Sequence, residues 1–418
     1  MNKANRTTQN PLSSLLFAEG VSTTVTLVAD IALPVIAITR LDASALEVGW
    51  LGAASMGAPL VFGLSAGVLV NRLHLKHVFA FVGTLRVAVL LAVSLAGFII
   101  GVNIYELCIA GFLLSCAKLI TDTAMAVAVP SVIAKNRLAS ANSRIEMVNS
   151  FAQAIGPAIC GTLLRLVSLE NIFLFGAFSS AASATALSRT VAQLESIDDG
   201  ESRTHIQEVL YGMKLLWRNG FQRAIAVSAG LFNLFHTAFF TVFTLFAFRS
   251  LSFTASSFGL LLSLIGLVGV AGGYFASKIV DRLGAKLALI GTLACIGPLG
   301  VPVLFLDSTQ PIFRIAVIAI CLGAWDFAVV VHLIIEATIR QLTVPVNQLS
   351  RIAATTRFVS WGADPVGAAL GGLLASSALG YRGALACCLL GMSLAGLSLV
   401  ISKSVRSIDN DVMCFQPD

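Results

Sequence analysis

Twelve ionisable side chains interrupt long apolar runs: Glu19, Asp30, Arg86, Glu106, Lys118, Asp122, Glu146, His236, Asp326, His332, Glu336 and Asp364. In an apolar medium each costs several kcal/mol unless it is paired, wetted or neutralised, so each is a candidate for function. A carboxylate in such a wall can take up and release a proton. Asp30 is the first candidate for that chemistry. Its alternative role is to bond the backbone near Pro34, at the end of the first run. Lys118 and Asp122 stand four residues apart, one helical turn on one face, where they can pair and so tolerate burial. Such a pair either opens when charge or substrate arrives, or is static and orients its helix. Asp326 follows Trp325 and could hold a proton or a cationic group. His332 lies 210 positions after Asp122 and could titrate near neutral pH, or act as a plain hydrogen-bonding residue. Glu19, Glu106, Glu146 and Glu336 fall near run ends, where water is within reach, and Asp364 beside Pro365 could cap a kink.

Other chemistries find little support. The eight cysteines are scattered and show no metal-ligand spacing. His332 and Glu336 stand at i and i+4 but have no third ligand, so no metal site is expected. No Ser/His/Asp set suggests an enzyme, and no GxxxxGK[ST] pattern suggests a nucleotide. The net charge of +6 is read as topology rather than as nucleic-acid binding.

The elements that must position these groups are membrane helices. The chain is 57% hydrophobic and 11% charged, with mean hydropathy +0.90; soluble domains carry about 25% charged residues. Twelve runs reach the length of a span, near 15–39, 47–70, 77–100, 104–133, 144–168, 171–191, 223–248, 255–278, 286–306, 311–335, 350–376 and 380–402. They lack strand alternation, so an all-α membrane protein is expected rather than a barrel. The first run has no cleavage signature and reads as a retained span. With the N-terminus inside, 20 of the 27 Lys and Arg fall on the inner side, 5 on the outer side and 2 within spans. That bias supports twelve spans with both termini cytoplasmic. The polar stretch 192–222 separates residues 1–191 from 223–418, giving two six-helix halves and a linker.

One pattern occurs in both halves. Gly67, Leu69, Asn71, Arg72 and Lys76 follow the second run; Ser277, Asp281, Arg282, Gly284 and Lys286 follow the eighth, with Asn71 and Asp281 210 positions apart. A duplicated basic turn of this kind indicates a duplicated membrane unit. It resembles the G-x-L-x-D-R-x-G-[RK]-[RK] motif of the major facilitator superfamily, with Asn71 replacing the first acid, His74 the second glycine, and Ser277 the first glycine of the second copy. Gly156, Pro157 and Gly161 in the fifth run resemble the G-P-x-x-G-G motif of that superfamily's antiporters, with Cys160 in place of one glycine. Gly and Pro there permit close helix approach and a kink, as a gate requires. Asp30 to Pro34, Ser44 to Gly49, and Leu138 to Arg144 are similar to a drug- and siderophore-exporting branch that includes bacterial macrolide efflux proteins.

The resemblance implies two pseudo-symmetric six-helix bundles, with spans 1, 4, 7 and 10 around a central cavity. It implies a monomer in the bacterial inner membrane, with no cofactor, that exports a drug-like or amphipathic compound in exchange for protons; export of an endogenous siderophore or related metabolite is the alternative. Asp30, Asp122, Asp326 and His332 are then the proton-coupling candidates. Lys118, His236, Phe239, Phe243 and Trp325 are cavity candidates, although phenylalanines of a span also commonly face lipid. The repeated turn and the Gly-Pro motif are the gating candidates.

Overall fold

A computed structural model describes residues 11–63, 65–66, 70, 73–99, 101–133, 138–190, 205–306, 310–344 and 346–406. Among these no strand occurs. Ten helices are long and apolar enough to cross a membrane. The first half contributes α1 (Pro11–Thr39), α4 (Leu75–Ile99), α5 (Ile104–Val132), α6 (Leu138–Leu166) and α7 (Leu169–Thr190). The second contributes α9 (Gly220–Arg249), α10 (Ala255–Leu283), α13 (Pro311–Thr343) and α16 (Gly380–Ile401). The tenth crossing is segmented into α11 (Ala285–Ala294), α12 (Ile296–Gly300) and a 3-10 turn, Val301–Phe305.

Two expected spans are not continuous. The second run forms α2 (Ala45–Ser55) and α3 (Ala58–Phe62), broken at Met56 and Gly57 just before Pro59. The eleventh forms α14 (Val346–Trp361) and α15 (Asp364–Ser376), broken at Gly362 and Ala363 just before Pro365. Proline removes a backbone donor and crowds the preceding turn, so each helix stops and restarts there. The breaks face each other, because a methyl group added at Gly362 would lie 3.4 Å from Leu60. The remaining helices are α8 (His205–Arg218), within the expected linker, and α17 (Lys403–Arg406).

Two acids near span ends have local work. Glu47 and Glu106 complete capping boxes with Ser44 and Asn103 at the starts of α2 and α5, satisfying backbone donors that the first helical turn leaves open. Both lie at the same end of the helices as residues 40–44, opposite the basic end that holds Lys76, Arg189 and Lys286. Both described ends of the chain lie at the basic end. Ser13 and Ser14 share a groove with Arg189, and Lys286 donates to the carbonyl of Arg406 at 2.7 Å.

The two halves pack by the same plan. Within the first, α1 lies on α6 and α7, α4 on α5 and α7, and α2 on α5. Within the second, α9 lies on α15 and α16, α11 on α13 and α16, and α10 on α13. Each pairing in one half has its counterpart in the other. Between halves the main seams are α2 against α15 and α6 against α10.

Candidate functional site

The seams determine which way the molecule opens. Near the 40–44 end the backbones touch: a methyl group added at Gly49 would lie 2.7 Å from Cα of Gly372, and one at Gly161 would lie 2.6 Å from the carbonyl of Ala255. One at Gly259 would overlap the Pro157 carbonyl. Ser256 donates to the Gly161 carbonyl at 2.9 Å, and Ser263 accepts from the Ala158 amide at 3.0 Å. Further toward the basic end the contact loosens, and a methyl at Gly266 would stand 3.6 Å from Ala154. At the rim of the closed end, Arg249 of the second half donates to the Ala43 carbonyl and to the Tyr381 hydroxyl at 3.2 Å, and lies 3.7 Å from the Asp42 carboxylate. The backbones of the two bundles are therefore in closest contact at this end, and their contacts are looser toward the basic end. Pro157 and Gly161 sit on that seam, while Gly156 packs on Leu27 of α1.

A charged wall faces the opening from the first half. Arg86 is buried and donates to Ser22 of α1. Thr23 donates to Asn149 at 2.8 Å, and Asn149 also bonds Glu19. Lys118 and Asp122 form the expected ion pair at 4.0 Å, each side chain about half exposed. Asp30 is exposed and lies within electrostatic reach of Lys118 and Arg86. Asp122 also feels Arg357, which reaches it from α14 of the other half. Glu19 and Arg86, legible in the sequence as charges within apolar runs, thus join Asp122 and Lys118, and Arg357 is added from the second half.

The second half presents an aromatic wall. The His236 ring lies 5.1 Å from Phe232, 4.9 Å from Phe240 and 5.7 Å from Trp325, measured between ring centroids. Phe239 packs on Trp325 at 4.8 Å and stacks on Phe243 at 5.9 Å. Phe239 and Phe243 are fully buried and Trp325 nearly so. These three therefore back the wall as bundle core instead of lining the cavity, because spans 7 and 10 hold them between helices; His236 and Phe240 are the partly exposed members.

The remaining candidates separate. Asp326 is half-buried against Gly269 of α10, with no hydrogen bond or ion pair to the described residues. Asp364 accepts from Thr237 at 2.8 Å, which ties α15 to α9. His332 is buried on the other side of α13, where Nδ1 lies 3.0 Å from the Leu289 carbonyl and 3.3 Å from Thr292. It belongs to the α11–α13 interface and not to the polar wall. Glu336 pairs with Arg340 at 2.8 Å. Asp281 and Arg282 are exposed at the end of α10, and Gly284, at a positive φ of 75° that glycine tolerates, ends the helix. Gly67, Asn71 and Arg72 lie outside the described residues. No group of three metal-ligating side chains occurs among the described residues.

Comparison with known proteins agrees with this architecture. The chain is 26% identical over 377 residues to an uncharacterised MFS-type transporter, y4rN, of Sinorhizobium fredii strain NBRC 101917 / NGR234, covering 88% of this chain and 89% of that one. The fold matches the crystal structure of a bacterial homologue of the iron transporter ferroportin in an inward-facing state, with TM-score 0.74, 15% identity and coverage of 96% and 100%. It also matches the nucleoside transporter NupG, with TM-score 0.74, 13% identity and coverage of 96% and 100%. The Major Facilitator Superfamily pattern matches residues 15–359. A duplicated six-helix plan, closed at one end over a polar interior, is thus joined to a family match across most of the sequence, and the chain belongs to the Major Facilitator Superfamily of membrane transporters.

Proposed function

We propose that this transporter exports a small amphipathic organic compound, drug-like or a natural product, across the bacterial inner membrane in exchange for protons. The observation that carries the reading is the pairing of two unlike walls: partly exposed charges, Asp30, Lys118 and Asp122, in the first half and a partly exposed aromatic pair, His236 and Phe240, in the second. A compound with a polar group and an apolar body would satisfy both walls at once. In this reading the basic end faces the cytoplasm, as the charge bias suggests, so the open cleft is loaded from inside. The two bundles then rock about the Gly49–Gly372 and Gly161–Gly259 seams to expose the cleft to the other side.

Asp30 is the leading proton carrier. It is exposed, makes no hydrogen bond to the described residues, and lies within electrostatic reach of Lys118 and Arg86. Asp122 and Asp326 are the second choices. His332 is not advanced as a carrier, because its ring is sealed between helices. A siderophore or related anionic metabolite is the second reading of the substrate, favoured by the three cations Arg86, Lys118 and Arg357 around Asp122.

The test is efflux from cells lacking other pumps, run over a panel of drugs and siderophores with and without an uncoupler. Proton-coupled export predicts that efflux collapses with the gradient, and that Asp30→Asn lowers gradient-driven efflux at least about tenfold while leaving equilibrative exchange measurable. Efflux that ignores the uncoupler would sink the antiport reading, and intact coupling in Asp30→Asn would remove Asp30 from its role.

A further inference from the structure

Near its basic end helix α7 presents mostly small side chains to the surface. Toward the other end it exposes Phe175 and Phe178, but near the basic end it exposes Ala181, Ala182 and Thr185. A groove is left on each side. One, of about 510 Å³, lies between α4 and α7; the other, of about 560 Å³, lies between α1 and α7. Ala181, Thr185 and Arg189 line both. The floor of the first is the contact of α4 with α7, where a methyl group at Gly83 would overlap Ala184. Arg189 stands where both grooves meet the basic end, and Lys76 stands beside it across the first groove. Both are exposed, neither has a hydrogen bond or ion pair to the described residues, and among the described residues no acid lines either groove.

We propose that this end of α7 is a binding site for an anionic phospholipid. The phosphate sits between Arg189 and Lys76, and the acyl chains run down the two grooves on either side of the helix. The charge and the shape agree. Cations at the polar boundary of a span attract anionic headgroups, and a guanidinium offers paired donors to phosphate oxygens. The small side chains below leave volume that hydrocarbon alone can fill in a bilayer. The site is peripheral, away from the cleft, and its occupant is part of the membrane rather than cargo.

The experiment is native mass spectrometry of the delipidated full chain, titrated separately with phosphatidylglycerol and phosphatidylcholine. The wild type should retain phosphatidylglycerol in clear preference. Lys76→Gln with Arg189→Gln should lower that preference at least about fivefold, since each near-surface cation contributes a factor of that order. Ala181→Phe, which keeps the charges but fills both grooves, should weaken retention of both lipids. Arg165→Gln, exposed at the other end, should behave as wild type. An unchanged preference in the double variant, or full displacement of phosphatidylglycerol by millimolar inorganic phosphate, would overturn the proposal.

Discussion

The backbone contact at Gly49 gives a quantitative handle on the conformational equilibrium. Gly49→Ala introduces one methyl group 2.7 Å from Cα of Gly372 and 3.0 Å from the Ala368 carbonyl. Comfortable carbon–carbon contact is about 3.5–4.0 Å, so α2 and α15 must separate by roughly 1 Å or accept the overlap. Overpacking of this kind costs about 1–3 kcal/mol. Alanine also favours the helix over glycine by about 0.5–1 kcal/mol, but that gain is common to both orientations of the bundles and cancels between them. The net effect falls on the state closed at the 40–44 end, and it should shift the balance toward the reverse state by a factor of roughly 5 to 150. Spin labels at Arg144 and Lys278, exposed near the basic ends of α6 and α10, read that balance by pulsed dipolar spectroscopy. Gly49→Ala should add a shorter distance to the distribution. Gly273→Ala, where a methyl group meets nothing within 4 Å, should leave it as it is. A folded Gly49→Ala protein with the wild-type distribution would refute the seam as the pivot.

Arg249→Gln should shift the same distribution in the same direction by a smaller amount, about 1 kcal/mol, since one charged hydrogen bond to the Ala43 carbonyl is lost. Asp42→Asn should change nothing measurable, because its side chain is 99% exposed and the pair spans 3.7 Å in water. His332→Gln should keep proton-coupled transport within about twofold while lowering thermal stability by about 1 kcal/mol for the altered bond to Leu289; a larger loss of coupling than of stability would return His332 to the proton path.

What the sequence made legible was set by single-helix rules. Apolar length placed the spans, the i, i+4 spacing placed the Lys118–Asp122 pair, and small residues beside Pro157 marked a close approach. Properties that depend on a neighbouring helix were not legible. Asp122 and His332 share an offset of 210, yet one faces the cleft and the other faces α11. A shift of one residue in register turns a helical side chain by about 100°, and connections of unequal length make such shifts between repeats common. Phe239, Phe243 and Trp325 were read as a cavity wall because aromatic content says nothing of azimuth. The breaks in the second and eleventh spans were hidden in apolar runs whose prolines could as well have kinked as interrupted the helix.

Arg357 illustrates how a charge within the eleventh run can link the two halves. It sits on α14, its guanidinium 5.8 Å from the Trp361 ring centre, and acts on Asp122 across the cleft. Asp122 is already paired with Lys118, at the loose distance of 4.0 Å. Closing the basic end brings α14 toward α5, so Asp122 should exchange Lys118 for Arg357 and release the lysine toward Asp30. One exchange would then tie bundle closure to the charge balance around the proposed carrier. Charges meeting at a partly wet interface contribute on the order of 1 kcal/mol, which is about fivefold in the closing step. Arg357→Gln should therefore slow coupled transport several-fold, and Arg357→Gln with Asp122→Asn should be no slower than Asp122→Asn alone. Transport losses that simply multiply in the double variant would mean that the two residues act independently, and the cleft charges would then have to be coupled to closure by some other contact.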